Sequence, residues 1–195
     1  MKINKKDLYF IIKVSLVYCA VSAIFSLVSI LYPDKYPQIN PITHGSLNAG
    51  EIGGHFLWGL VAGASTLRIR YALLGGTFAT LIDSDHLIGL LQVEGLPRMS
   101  HSISFAVISV IVLMSVFGKR DYLLGTIAAT SVLTHISYDI LNDQSGFPLF
   151  TPLLNRMITF PTMDWIFFEI AAVVIIAVVS FFVRRKGLAE KQIIS

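Results

Sequence analysis

The sequence predicts an all-α fold, a polytopic membrane helical bundle of about six transmembrane helices. Apolar side chains make up 54% of the 195 residues and charged side chains only 14%, whereas a soluble domain carries charge at about a quarter of its positions. The mean hydropathy is +0.72, and several apolar stretches approach the roughly 20 residues that a helix needs to cross a hydrocarbon core. These stretches are continuously hydrophobic rather than alternating, which favours helices over the strands of a membrane barrel.

Six apolar segments supply the predicted spans, and we expect them to form a single membrane domain covering residues 1–195. The segments are 8–31, 55–67, 71–91, 100–117, 121–141 and 164–183. The first follows a basic start but is too long for the apolar region of a cleaved signal peptide, so we expect a retained additional span within 1–31. The sixth is expected to end at a basic triplet that opens a cytoplasmic tail, 184–195.

The basic residues predict the orientation of the bundle. Six spans place both termini on one side of the membrane, together with the turns at 68–70 and 119–120. That side carries 12 of the 15 Lys and Arg residues, and the other side carries only Lys35, Arg98 and Arg156. Because cytoplasmic loops are enriched in Lys and Arg, both termini are predicted to be cytoplasmic. This asymmetry also accounts for the net charge of +3, and no nucleic-acid partner is expected, since no basic and aromatic surface accompanies it.

The acidic residues and histidines collect toward the outer side. Nine of the twelve acidic residues and all five histidines fall there. The histidines are His44, His55, His86, His101 and His135. Hydropathy and the Lys and Arg count alone therefore place ionisable groups from four segments at one depth of the bundle. An ionisable group within a span costs roughly a few kcal/mol, so we expect these groups to compensate one another.

A divalent metal ion is the compensation that these residues fit best, since carboxylates and neutral imidazoles are its usual ligands. His135 and Asp139 are spaced i,i+4, and Asp83 and His86 are spaced i,i+3, so each pair lies on one helical face. Asp85 points elsewhere and is interpreted as a bridging ligand, a partner of a ligating histidine or a general base. The alternatives are a proton-relay cluster without metal and a merely structural polar network.

Some of these residues also have simpler interpretations. His101 alone could be an interfacial histidine at a helix start, His55 a polar cap, and His44 a solvated loop residue. Arg98 and Arg156 are outer-side cations that could hold a phosphate, although we favour their interpretation as solvated loop charges.

Four short motifs follow one another along the chain. They are Gly54-His55, then Asp83-Ser84-Asp85-His86, then Ser100-His101-Ser102, then Thr134-His135 with Asp139 and the loop from Gly146 to Pro152. In this order they resemble the YdjM-like family of inner-membrane proteins, which are assigned as metal-dependent hydrolases. The resemblance covers roughly 53–155, which it implies is a hydrolase-like core, and it leaves out the first span and the tail.

The resemblance implies chemistry related to the all-helical zinc phospholipase C and P1 nuclease group. It implies one to three divalent ions, Zn²⁺ above all. The implied metal ligands are His55, Asp83, His86, His101, His135 and Asp139. Asp85 is the candidate catalytic residue, expected to orient or deprotonate a water.

One motif departs from the family pattern. Where the family has H-R-G-x-T-H-S, this chain reads Leu96-Pro97-Arg98-Met99-Ser100-His101-Ser102. The first His is absent and the Arg is shifted by one position, which implies either fewer metal ions than in relatives or lost catalysis. The Thr that is common after the last Asp of the family pattern is replaced by Asn142.

The predicted function is that of a membrane-bound metal-dependent hydrolase with its His/Asp site at the extracytoplasmic end of the bundle. Its expected partners are the lipid bilayer and a phosphoester or lipid-phosphate substrate reached from the outer leaflet. A transporter that binds cations or protons and a non-catalytic membrane scaffold are the alternatives. A transporter predicts polar residues along the cytoplasmic halves of the helices, but the segments 60–63, 71–74 and 123–125 show no polar path.

Overall fold

The computed structural model describes residues 3–31, 36–37, 48–91, 94–142 and 146–194. Six α-helices lie in these segments: α1 (Lys5–Leu27), α2 (Ala49–Ala64), α3 (Ile69–Leu81), α4 (Ile103–Phe117), α5 (Tyr122–Leu141) and α6 (Trp165–Ile194). Shorter 3-10 helices occupy Val28–Leu31, Ile82–Leu91 and Thr162–Asp164. The predicted all-α class is confirmed, while His44 and Lys35 lie outside the described residues.

Within the described part of the chain, two helical segments are long and apolar enough to cross a membrane. They are Lys5–Leu31 and Thr162–Gly187, and both meet the requirement by length and composition. The segment Ile103–Phe117 is apolar but shorter. Many large apolar side chains on these helices are exposed, among them Leu16 at 66% and Phe167 at 71%. Such faces suit a hydrocarbon surrounding, which costs an apolar side chain nothing.

The second helix begins earlier than expected. α2 begins at Ala49 rather than at His55, because the Asn48 side chain caps it by accepting hydrogen bonds from the backbone N–H groups of Gly50 and Glu51 at 2.8 and 3.0 Å. His55 therefore lies within the helix and is not its polar cap. The capping residue Asn48 is a signal for a helix start, but the Gly-rich stretch that follows it is not typical of a helix and obscured that start.

The third predicted span is not one continuous α-helix. α3 ends at Leu81, and the segment carrying the Asp-Ser-Asp-His motif is a 3-10 helix. Two hydroxyl groups draw backbone carbonyls away from the α-helical ladder. Ser84 Oγ donates to the Leu81 carbonyl at 2.7 Å, and Ser22 Oγ from α1 donates to the Ile82 carbonyl at 2.9 Å. In a 3-10 helix, side chains three positions apart lie above one another, so the i,i+3 pair still shares a face.

The start of the fourth predicted span and the end of the sixth also differ from expectation. α4 begins at Ile103, because Ser102 is its N-cap and accepts from the Phe105 N–H at 3.2 Å. α6 continues through the basic triplet at 184–186 to Ile194. The triplet ends the apolar surface but not the helix, since Arg and Lys are good helix formers.

Small residues and aromatic rings hold the helices together. A Cβ added at Gly59 of α2 would overlap the backbone of Gly75 in α3, so glycine is needed there for the close approach of the two helices. Tyr18 of α1 stacks on Phe78 of α3 with ring centroids 4.1 Å apart. α2 runs antiparallel to α3, so the first half of α2 lies at the same end of the bundle as the C-terminal ends of α1 and α3.

Charged residues tie the helices together at the opposite end. The Tyr71 hydroxyl lies 2.8 Å from both carboxylate oxygens of Asp121, the N-cap of α5. The Arg70 guanidinium is 3.7 Å from Asp7 of α1 and donates to the Tyr71 hydroxyl at 2.6 Å. This network joins the N-terminal ends of α1, α3 and α5.

Candidate metal centre

Four segments bring the predicted site residues together. α2 carries His55, the 3-10 helix carries Asp83, Asp85 and His86, the turn before α4 carries His101, and α5 carries His135 and Asp139. All of these residues are at least nine-tenths buried except His86, whose side chain is 25% exposed. His86 therefore lies on the open side of the cluster. His101 precedes the helix by two residues and is fully buried, so it is not an interfacial histidine.

The rings of His101 and His135 face each other through their Nε2 atoms, which are 2.8 Å apart. His135 Nδ1 is 2.6 Å from the Ala79 carbonyl oxygen, which can only accept, so Nδ1 carries the proton. His101 Nδ1 is 3.1 Å from an Asp85 carboxylate oxygen, which assigns its proton in the same way. Both Nε2 atoms thus present lone pairs to the same point, an arrangement that suits a shared proton or a metal ion.

Asp83 is at the middle of the cluster. Its Oδ1 lies 3.2 Å from His86 Nε2, 3.3 Å from His135 Nε2 and 3.8 Å from His101 Nε2. Its Oδ2 lies 3.6 Å from His55 Nε2. One carboxylate therefore reaches all four imidazoles of the cluster, as a bridging ligand does.

Asp139 approaches the same point from α5. Its Oδ1 is 3.4 Å from His55 Nε2, and its Oδ2 is 3.5 Å from the Nε2 atoms of both His101 and His135. The rings of His55 and His135 are stacked with centroids 3.8 Å apart. The predicted i,i+4 pair of α5 does turn both side chains to one centre.

Asp85 contacts a histidine rather than the middle of the cluster. Its Oδ2 accepts from His101 Nδ1 and from the Ser100 backbone N–H, both at 3.1 Å. This is the arrangement by which a carboxylate fixes the tautomer of a ligating histidine. The second oxygen, Oδ1, is buried without a hydrogen-bond partner and lies 3.8 Å from His86 Nε2.

The ligand atoms group into two trios whose members lie within 4.8 Å of one another. One consists of His55, His135 and Asp139, and the other of Asp83, His86 and His101. In the comparison with known proteins, the profile of the YdjM inner membrane protein family matches residues 51–194. The chain belongs to this family. No curated protein and no solved structure gave a match.

The motif that departs from the pattern contains a residue in a left-handed backbone conformation. Arg98 occupies the position where the family pattern has Gly, and its φ of 59° lies in the left-handed region that glycine adopts freely. Leu96, at the position of the missing His, is 1% exposed and belongs to the apolar core. The left-handed conformation thus falls at the glycine position of the pattern, and an apolar side chain stands where the pattern has an imidazole.

Arg98 is not a solvated loop charge, and that interpretation was wrong. Its side chain is 13% exposed, pairs with Asp139 and lies over the Phe147 ring at 4.7 Å. Neither the ion pair, which spans 41 residues, nor the left-handed backbone is visible in the sequence. Arg156, in contrast, is exposed as expected of a loop charge.

Two further residues beside the His/Asp cluster were not predicted from the sequence. Glu51 lies one turn before His55, and its Oε2 is 3.9 Å from His55 Nε2. Tyr138 packs the edge of its ring against His55 with centroids 4.7 Å apart. A Cβ at Gly54 would overlap the Tyr138 ring, so the Gly of the Gly-His motif is needed for this contact. The i,i+4 spacing of Glu51 and His55 was the available signal.

Proposed function

We propose that this YdjM family protein is a membrane-bound hydrolase that depends on a divalent metal, Zn²⁺ above all, and acts on phosphoester or lipid-phosphate substrates. The metal ligands in this proposal are His55, Asp83, His86, His101, His135 and Asp139, holding one to three ions. The observation that carries it is the convergence of the His101 and His135 lone pairs on a point that two aspartates also reach.

The charge of the cluster also suits a divalent ion. Three buried aspartates face a single arginine among the described residues, so with neutral imidazoles the cluster has three negative charges and one positive charge, an excess of two. Uncompensated charge is expensive in a membrane interior. His55 Nδ1 and Asp85 Oδ1 are buried without partners, which leaves donor and acceptor capacity for water or substrate. The residues present therefore fit the metal.

In the proposed hydrolysis, the side chains of the cluster have different roles. A divalent ion held here supplies a Lewis acid, which acidifies water and neutralises charge on a phosphoryl oxygen. Asp85 holds His101 through Oδ2, and its free Oδ1 is placed to orient or deprotonate a water on the side of His86. The partial exposure of His86 marks the side from which substrate and water reach the cluster.

The topology that belongs to this proposal has six spans with both termini cytoplasmic and the His/Asp cluster facing outward. Its support is the 12 to 3 distribution of Lys and Arg. Two arginines remote from the cluster agree with this distribution: Arg70 lies at the N-terminal end of α3, and Arg184 of α6 donates to the Thr66 carbonyl, just after α2, at 3.1 Å. A substrate drawn from the outer leaflet suits this arrangement.

Purified protein in lipid nanodiscs provides the test. Hydrolysis of phosphatidic acid, phosphatidylglycerol and a water-soluble phosphoester is measured before and after chelation, with His101→Ala as the control that lacks a ligand. We expect hydrolysis that a chelator abolishes and zinc restores. Bound metal without hydrolysis of any of these substrates would support the scaffold instead, and a protein without metal would support the proton relay.

A further inference from the structure

Arg98 has an unusual backbone conformation for its residue type. Among the described residues, only Leu67 and Arg98 combine a side chain with a positive φ. A left-handed residue other than glycine costs roughly 1 kcal/mol or more, and such residues are common at ligand clamps. At Arg98 this conformation directs a guanidinium into the His/Asp cluster, where Asp139 pairs with it.

Not all N–H groups of the Arg98 guanidinium have hydrogen-bond partners there. One Nη atom pairs with Asp139 Oδ2, and the ring of Phe147 covers the guanidinium face. The Nε–H group is buried and has no hydrogen-bond partner. Buried donors are almost always paired, so an unpaired one beside a candidate site calls for an acceptor that arrives with a ligand.

The acceptor must be an anion with more than one oxygen. Nε–H and Nη–H of arginine form a fork that matches two oxygens of a phosphate or carboxylate. Asp139 is also a candidate metal ligand, and a metal ion that takes a share of its charge weakens its hold on the guanidinium. Arg98 is then free to engage a substrate anion at the edge of the metal centre.

We propose that Arg98 is the anion subsite of this centre and binds a phosphate group through Nε–H and Nη–H. The inference rests on the proposed metal-dependent hydrolase and names the group that its substrate must carry. The phosphate can be free or part of a lipid headgroup. The loop after Phe147 carries exposed apolar side chains, Phe150 at 43%, Leu153 at 84% and Leu154 at 61%, which favour a phosphate with an apolar tail.

The test measures phosphate binding rather than turnover. Zinc-loaded protein in nanodiscs of phosphatidylcholine is titrated with inorganic phosphate by calorimetry and, separately, with dihexanoyl phosphatidic acid. Arg98→Met removes the charge, Arg98→Lys keeps the charge without the fork, and Arg156→Met is the matched control, an exposed arginine of the following loop. Zinc content and thermal unfolding are measured for every variant.

We expect Arg98→Met to weaken phosphate binding by about tenfold or more, the loss of a charge-assisted hydrogen bond. Arg98→Lys should fall between it and the unaltered protein, and Arg156→Met should bind normally. Zinc content should be the same in all four proteins. Tighter binding of the short lipid than of inorganic phosphate would assign the phosphate to a lipid headgroup, and equal binding would assign it to a free phosphoester.

Three results would overturn the inference. They are equal phosphate binding by Arg98→Met and the unaltered protein, equal weakening by Arg156→Met, and a gain of metal in Arg98→Met. The last would show that Arg98 only replaces the charge of a further ion. Unaltered protein that binds no zinc contradicts the proposed hydrolase itself, and phosphate binding by the metal-free variants then tests Arg98 separately.

Discussion

Because the Ala79 carbonyl holds the proton of His135 on Nδ1, replacing this histidine removes an inward-facing ligand atom from the middle of the cluster. We expect His135→Ala to weaken zinc binding by more than about 100-fold, since the loss of even an outer-sphere partner costs about 10–100-fold. Competition with a fluorescent zinc chelator measures this. His44→Ala, at a histidine outside the four motifs, is the control and should bind zinc normally, and equal loss in both variants would count against the assignment.

Asp85 distinguishes two roles at the residue scale. If it positions His101, Asp85→Asn should weaken zinc binding by about 10–100-fold and leave the shape of the pH–rate profile unchanged at saturating zinc. If it deprotonates the water, zinc should stay bound while turnover falls by about 100-fold or more and the limb of the profile that belongs to the base disappears. The hydrogen bond at 3.1 Å to His101 Nδ1 favours the first result. Normal binding together with normal turnover would exclude both roles.

At the scale of helices, the packing of α2 against α5 positions His55. A methyl group at Gly54 would overlap the Tyr138 ring, which packs against His55, whereas a methyl group at Gly53 would meet nothing within 4 Å. We expect Gly54→Ala to lower the free energy of unfolding by about 1–3 kcal/mol and to weaken zinc binding. Gly53→Ala should be neutral or stabilising by up to about 1 kcal/mol. Thermal unfolding in detergent and zinc titration compare the two variants. Equal stability and equal zinc binding in both would show that the contact does not position the histidine.

The elements also show what the sequence can and cannot predict. Continuous apolar runs predicted the helices, and the i,i+4 spacing within one long helix predicted that His135 and Asp139 share a face. The end of α3 depends on Ser22, sixty residues away from the Ile82 carbonyl that it binds, and no local pattern reports such a contact. The role of Arg98 depends in the same way on Asp139 and on a backbone angle that only the folded chain shows.

The family match begins at residue 51 and therefore leaves out α1. The structure nevertheless places it behind the cluster. Ser22 Oγ lies 2.8 Å from Ser100 Oγ, next to the His101 turn, and the Cys19 carbonyl lies 3.2 Å from Ser84 Oγ, within the Asp-Ser-Asp-His motif. The additional helix thus supports two of the four segments that form the site.

For the whole molecule, the account requires the His/Asp cluster to face away from the cytoplasm. In a Cys19→Ser background, a membrane-impermeant thiol reagent applied to intact cells should label Arg156→Cys and not Lys119→Cys. Both positions are exposed, so the difference reports their side of the membrane, and permeabilised cells provide the control in which both react. Labelling at 119 but not at 156 would reverse the orientation and with it the location of the substrate.

The central claim is that two histidines and two aspartates converge on a divalent metal ion, and the metal content of the purified protein tests it most directly. Protein purified without chelators is analysed by inductively coupled plasma mass spectrometry beside a variant that carries both His101→Ala and His135→Ala. The account predicts at least one divalent transition-metal ion per chain, zinc above all, in the unaltered protein and almost none in the variant. It also predicts that added zinc raises the melting temperature of the metal-stripped unaltered protein only. Unaltered protein that contains no stoichiometric metal, and that zinc neither binds nor stabilises, would contradict it.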